Sequence, residues 1–153
     1  MLQPGDRAPD FDLPDQNGNR IKLSDVLDQT VVLYFYPRAE TPGCTTQACG
    51  IRDRGAEYRE LGAQVLGISP DEPAALRKFA DNQKLDFTLL ADPDHKVADK
   101  YGAWGEKSMY GKKYMGMLRS SFIIDPKGKI ARVFPKVQPK KHDRLILKAL
   151  AEL

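Results

Sequence analysis

The sequence predicts an α/β fold, a central mixed β-sheet flanked by helices, with an N-terminal β-hairpin. Three observations carry this. Val31-Val32-Leu33-Tyr34-Phe35-Tyr36 and Val65-Leu66-Gly67-Ile68-Ser69 are apolar runs without polar alternation, as in strands buried on both faces. Each is followed by a segment with helical periodicity and helix-start residues. Ser121 to Asp125 and Lys129 to Phe134 then face each other across Pro126-Lys127-Gly128, the composition of a hairpin turn. Strand–helix units followed by a hairpin require a sheet with both parallel and antiparallel neighbours, covered by helices on both faces.

Taken in order, Phe11, Leu13 and Ile21, Leu23 flank Asn17-Gly18 and predict the N-terminal hairpin. After the strand ending at Tyr36, a helix is expected from Pro42 to about Leu61. The Val65–Ser69 strand leads to a helix capped by Asp71, with Pro73 in its first turn and Leu76, Phe79 and Ala80 as its apolar stripe. Phe87 to Leu90 reads as a short strand, and Asp94 to Tyr101 as a short helix stopped by Gly102. Gly105 to Gly116, rich in Lys, Tyr and Met, reads as a loop. The last helix is expected from about Pro139, with Ile146, Leu147 and Leu150 inward.

Composition sets outer limits. With 153 residues, one domain over 1–153 is expected, large enough to bury a core without disulfide staples. The formal net charge of +3 is too mild to suggest nucleic-acid binding, and Lys136, Lys140 and Lys141 fit a solvated helix start. No apolar run is long enough to span a bilayer. Met1-Leu2-Gln3-Pro4-Gly5-Asp6 lacks the basic and apolar regions of a signal peptide, so a cytoplasmic location is expected. In a reducing compartment, a lone pair of cysteines points to catalysis or metal binding rather than to a structural disulfide.

That pair is Cys44 and Cys49. Thr41 suits an N-cap, Pro42 the first helical position, and Cys44 then falls in the first turn of the helix. There the free backbone N–H groups and the helix dipole favour a thiolate. Cys49 follows on the same helix. On ideal helical geometry their Cα atoms lie roughly 8–9 Å apart and about 140° apart around the axis. A disulfide tolerates at most about 7 Å. A bond between them therefore requires local unwinding, which Gly43, Thr45, Thr46 and Gly50 make inexpensive as poor helix formers.

Pro37, Thr41 and Cys44 match the P-x-x-x-T-x-x-C signature of peroxiredoxins. Gly5-Asp6-Arg7-Ala8-Pro9-Asp10-Phe11, the nearby Cys49 and Arg119-Ser120-Ser121-Phe122-Ile123-Ile124-Asp125 make the chain resemble the bacterioferritin-comigratory-protein (PrxQ) branch, over nearly its whole length. The resemblance implies a thioredoxin-like fold and a thiol peroxidase acting on hydrogen peroxide and organic hydroperoxides. It implies no cofactor or metal, recycling by thioredoxin or glutaredoxin, and a monomer. Cys44 would be the peroxidatic nucleophile and Cys49 the resolving cysteine. Thr41 would hydrogen-bond peroxide and thiolate, Pro37 would shield the site, and Arg119 would hold the thiolate and the peroxide oxygens. One departure stands out: Gln47 occupies a position where the family usually has Glu, so the partner expected to orient Arg119 carries no charge.

Three other readings compete. A thioredoxin-type disulfide oxidoreductase would carry Cys-x-x-Cys rather than this wider spacing. A zinc site from Cys44, Cys49, His95 and His142 lacks the short His spacing of common zinc motifs. A non-enzymatic binding module would tolerate Cys44→Ser.

Overall fold

The computed structural model describes residues 1–153. Its strands and helices are β1 (Asp12–Pro14), β2 (Arg20–Lys22), β3 (Thr30–Phe35), α1 (Pro42–Asp53), α2 (Gly55–Glu60), β4 (Ala63–Ser69), α3 (Pro73–Gln83), β5 (Thr88–Ala91), α4 (Lys96–Tyr101), β6 (Trp104–Met109), β7 (Lys112–Met117), β8 (Ser120–Ile124), β9 (Ile130–Phe134) and α5 (His142–Ala151). Five strands form the central sheet in the order β5-β4-β3-β8-β9. β3, β4 and β5 are parallel, β8 pairs antiparallel with β3 and β9 antiparallel with β8, so the sheet is mixed as the sequence implies.

Burial on both faces explains the unbroken apolar runs. Val32, Tyr34 and Tyr36 point to one side, where Ile51 of α1, Phe79 of α3 and Ile146 of α5 meet them. Val31, Leu33 and Phe35 point to the other, against Val97 and Tyr101 of α4 and Phe11 from the N-terminal segment. Tyr34 lies over β4 at Gly67, where an added Cβ would stand 2.8 Å from its ring. Any side chain there would collide with the aromatic layer against which α1 packs.

The N-terminal hairpin forms by β1–β2 pairing, with the Asp15 carboxylate accepting from the Asn17 and Asn19 amides at 2.9 Å each. Other expectations need correction. The expected long helix after Pro42 is two: α1 stops at Asp53, Arg54 turns, and α2 restarts at Gly55. Asp71 does not cap α3, whose N-cap is Glu72. Its carboxylate instead accepts from the Ala39 amide and the Ser69 hydroxyl, both at 2.8 Å, tying the loop after β3 to the end of β4. α4 begins at Lys96 because buried Asp92 accepts from the Val97 and Ala98 amides at 3.3 and 2.9 Å. α5 begins at His142, after the turn that follows Pro139.

The largest correction is Gly105 to Gly116, which is a hairpin rather than a loop. β6 and β7 pair from Trp104↔Met117 to Met109↔Lys112, separate from the central sheet. Tyr110 and Gly111 turn the chain with φ of 53° and 79°, the positive values of a two-residue hairpin turn. Its strands are mostly exposed, so no hydrophobic alternation marks them in the sequence.

Candidate active site

β3 delivers the chain to the sheet's carboxyl edge, where Tyr36 and Pro37 lead into the loop before α1. Thr41 occupies the N-cap with extended backbone (φ −76°, ψ 154°), and Pro42 opens the helix as expected. The Thr41 hydroxyl does not bond a helical N–H. It donates to the Arg38 carbonyl at 2.7 Å, so the cap position is right but the side-chain bond is different. Glu40, just before it, is held at φ 66°, a conformation rare for residues with a Cβ.

Cys44 is buried in the first turn of α1, beneath the loop and against the aromatic layer on β3. Arg119, in the short link between β7 and β8, reaches it from the other side. Its Nη2 donates to Cys44 Sγ at 3.5 Å and its Nη1 donates to Gln47 Oε1 at 2.7 Å. Gly43 permits this approach, since a Cβ there would stand 3.2 Å from Arg119 Nη2. The Arg119 carbonyl also accepts from the Val137 amide at 3.2 Å, which fixes the backbone behind the guanidinium. Gln47 thus orients the arginine through its amide oxygen, while its own Nε2 is buried without a protein partner.

Pro37 and Arg119 line one cleft of about 470 Å³, together with Lys107, Leu118 and Val137. The structure therefore brings together Pro37, Cys44, Arg119 and Gln47, with Thr41 at the helix start beside them. Cys49 is elsewhere. It is half-buried about one and a half turns further along α1, facing the C-terminus of α3, with its thiol 3.5 Å from Gln83 Oε1. Arg52 holds the same spot by donating to the Gln83 carbonyl.

Burial pushes Lys107 down from its ordinary range; the nearby Arg119 charge adds to this and Cys44 opposes it. Burial also raises Tyr34 and Tyr36 well above their usual values. Under Arg119, His142 is driven down to about 4, chiefly by burial, with Asp143 opposing and Arg119 reinforcing the shift. Its Nε2 bonds the Ser121 hydroxyl at 2.7 Å. His95 is remote from it, stacked on Trp104 at 3.9 Å and paired with Asp99. No three His, Cys, Asp or Glu side chains gather as a metal site would require.

A protein-family comparison matches residues 4–133 to the AhpC/TSA family. The peroxiredoxin Bcp of Escherichia coli strain K12 is 50% identical over 151 residues, covering 99% of this chain and 97% of that protein. This chain belongs to the AhpC/TSA family, as a peroxiredoxin of the Bcp/PrxQ branch. Solved structures agree. The peroxidoxin BcpB of Mycobacterium tuberculosis superposes with a TM-score of 0.89 at 37% identity, covering all of this chain and 99% of that one. Peroxiredoxin Q of Xanthomonas campestris gives 0.89 at 30% identity, with 99% and 96% covered. As a peroxiredoxin, the chain is an enzyme of the peroxidase class with the thioredoxin-like fold. No helix is long and apolar enough to cross a membrane.

Lys107, Arg52 and Gln83 were not evident as site residues from the sequence. Lys107 lies on the hairpin read as a loop, and the Tyr110-Gly111 turn was the available signal for that hairpin. Gln83 is brought to Cys49 only by the packing of α3 on α1.

Proposed function

We propose that this peroxiredoxin reduces hydrogen peroxide and organic hydroperoxides by an atypical two-cysteine cycle. The Cys44 thiolate attacks the distal peroxide oxygen, the O–O bond breaks, and Cys44 becomes a sulfenic acid while the substrate leaves as water or an alcohol. Cys49 then attacks that sulfur, forming an intramolecular disulfide and releasing water. Thioredoxin, or glutaredoxin, supplies the two electrons that return both thiols. A disulfide formed across so short a loop is strained and readily reduced by an external dithiol.

The observation carrying this reading is the Arg119 guanidinium 3.5 Å from Cys44 Sγ at the start of a helix. Charge moves during attack from sulfur to the leaving oxygen, and fixed donors in a partly dry cleft stabilise both ends. Arg119 is placed to contact both. Thr41, at the N-cap, would turn its hydroxyl to the peroxide, and Pro37 would limit water at the cleft wall. For the bacterioferritin comigratory protein of Xanthomonas campestris, alkyl peroxide reduction is described, which supports organic hydroperoxides as substrates here. Both cysteines are free and lie within the continuous helix α1, so resolution requires α1 to unwind between them. We also read the chain as one domain acting as a cytoplasmic monomer, which light scattering and cell fractionation would check.

The test is intact mass and thiol count after one equivalent of hydrogen peroxide, beside a Cys49→Ser variant with a sulfenic-acid trap. Loss of both wild-type thiols, with trapping on Cys44 in the variant, is the expected result. Thiols that persist as long as free cysteine would overturn the reading.

A further inference from the structure

Lys107 is a half-buried lysine with no carboxylate at ion-pair distance. Its stem crosses β7 at Gly116, where an added Cβ would lie 3.0 Å from Lys107 Cδ. Its ammonium donates to the Met117 carbonyl at 2.9 Å, two residues before Arg119. The nearest acid on its strand, Glu106, pairs instead with Lys113 at 3.5 Å. Lys107 thus lines the same cleft as Pro37 and Arg119, whose wall also carries Lys136 and the Lys113-paired Glu106. Placing an unpaired cation there costs desolvation energy and lowers its hold on the proton.

We propose that Lys107 is the general acid of peroxide cleavage, protonating the leaving oxygen as the Cys44 sulfur takes the distal one. This rests on the hydroperoxide reading above. The Cys44 thiolate forms an S–O bond to the distal oxygen, and the electron pair of the O–O bond passes to the proximal oxygen. A proton from the Lys107 ammonium neutralises that oxygen, giving alcohol or water and a neutral amine, which regains its proton from solvent at the open cleft. Arg119 cannot take this role, because a guanidinium does not release protons in the accessible range. An ammonium is a far stronger acid than an alcohol, so the transfer is downhill.

The experiment measures the second-order rate of Cys44 oxidation in wild type, Lys107→Met and Lys107→Arg, using hydrogen peroxide, tert-butyl hydroperoxide and peracetic acid. Acetate is a weak base and leaves without a proton, whereas hydroxide and alkoxide do not. Expected is a loss of about 10²–10⁴-fold with the first two oxidants in both variants. Less than about threefold should be lost with peracetic acid, which also shows that the pocket is intact. Equal losses on all three oxidants, or none, would overturn the proposal by leaving Lys107 a purely structural or electrostatic role. Full rescue by Lys107→Arg would overturn it too, since charge alone would then suffice. Wild type that reacts with none of the three faster than free cysteine would instead bring down the hydroperoxide reading itself.

Discussion

Cys44 and Cys49 share α1, yet the two halves of that helix are built to different ends. Around Cys44 the surroundings are fixed: a Pro-opened helix start, a buried aromatic layer, and Arg119 locked by Gln47 and by its own backbone bond to Val137. Around the half-buried Cys49 the polar ties are lateral: the thiol to Gln83 Oε1, and Arg52 on the last carbonyl of α3. In the proposed cycle that preorganisation serves the Cys44 end, where charge would develop in the transition state. Cys49 has to leave its Gln83 contact to reach Cys44 in the same two-cysteine cycle. The contrast teaches that two thiols on one helix can stand in different surroundings, one buried and held by an arginine, the other half-buried and tied laterally.

Variants can break this contrast or sharpen it. Cys44→Ser should remove peroxide consumption altogether, read by a peroxide-dye assay; residual turnover would mean Cys49 acts alone. Arg119→Met should slow Cys44 oxidation by about 10²–10³-fold, as expected for loss of a charge-stabilising donor, in competition kinetics against a reference peroxidase. Cys49→Ser should leave that first oxidation within a few-fold while stopping turnover with a dithiol reductant. Wild type should lose helical circular dichroism on oxidation, and this variant should keep it.

A pH effect arises in the aromatic layer beside Cys44, where the His142 ring of α5 lies 5.5 Å from that of Tyr34. His142 is ordinarily near 6.5 and is held at about 4 in the fold, so the unfolded chain binds the proton first on acidification. Stability is therefore full above about 6.5 and falls as pH drops towards 4, by about 3 kcal/mol in all. Thermal melts across this window should show the slope, and His142→Gln should flatten it. The smallest effect is Gln47→Leu, which removes one hydrogen bond to Arg119. It should slow Cys44 oxidation by roughly tenfold, equivalent to about 1.4 kcal/mol.

Much of the site was legible because it is local. Pro37, Thr41, Pro42 and Cys44 are neighbours, and helix-start chemistry follows from their order alone. The buried strands were equally legible, since burial on both faces removes polar residues from the run. Asp71 was misread because a helix cap and a loop tether ask for the same carboxylate, and only the fold put the Ala39 amide within its reach. The β6–β7 hairpin was missed because exposed strands leave little hydrophobic signature; Tyr110 at its tip is 98% exposed.

The sequence by itself determined the α/β class, the strands of the central sheet, and a helix start that puts Cys44 in its first turn. Those follow from nearest-neighbour chemistry and from periodicity, which are properties of short segments. Only the tertiary structure decided that Arg119, from the link into the neighbouring strand β8, meets Cys44 and Gln47, that Gln83 meets Cys49, and that Lys107 enters the cleft with no carboxylate paired to it. Such meetings depend on which faces of distant elements pack together, and that is settled by the core as a whole rather than by any one segment.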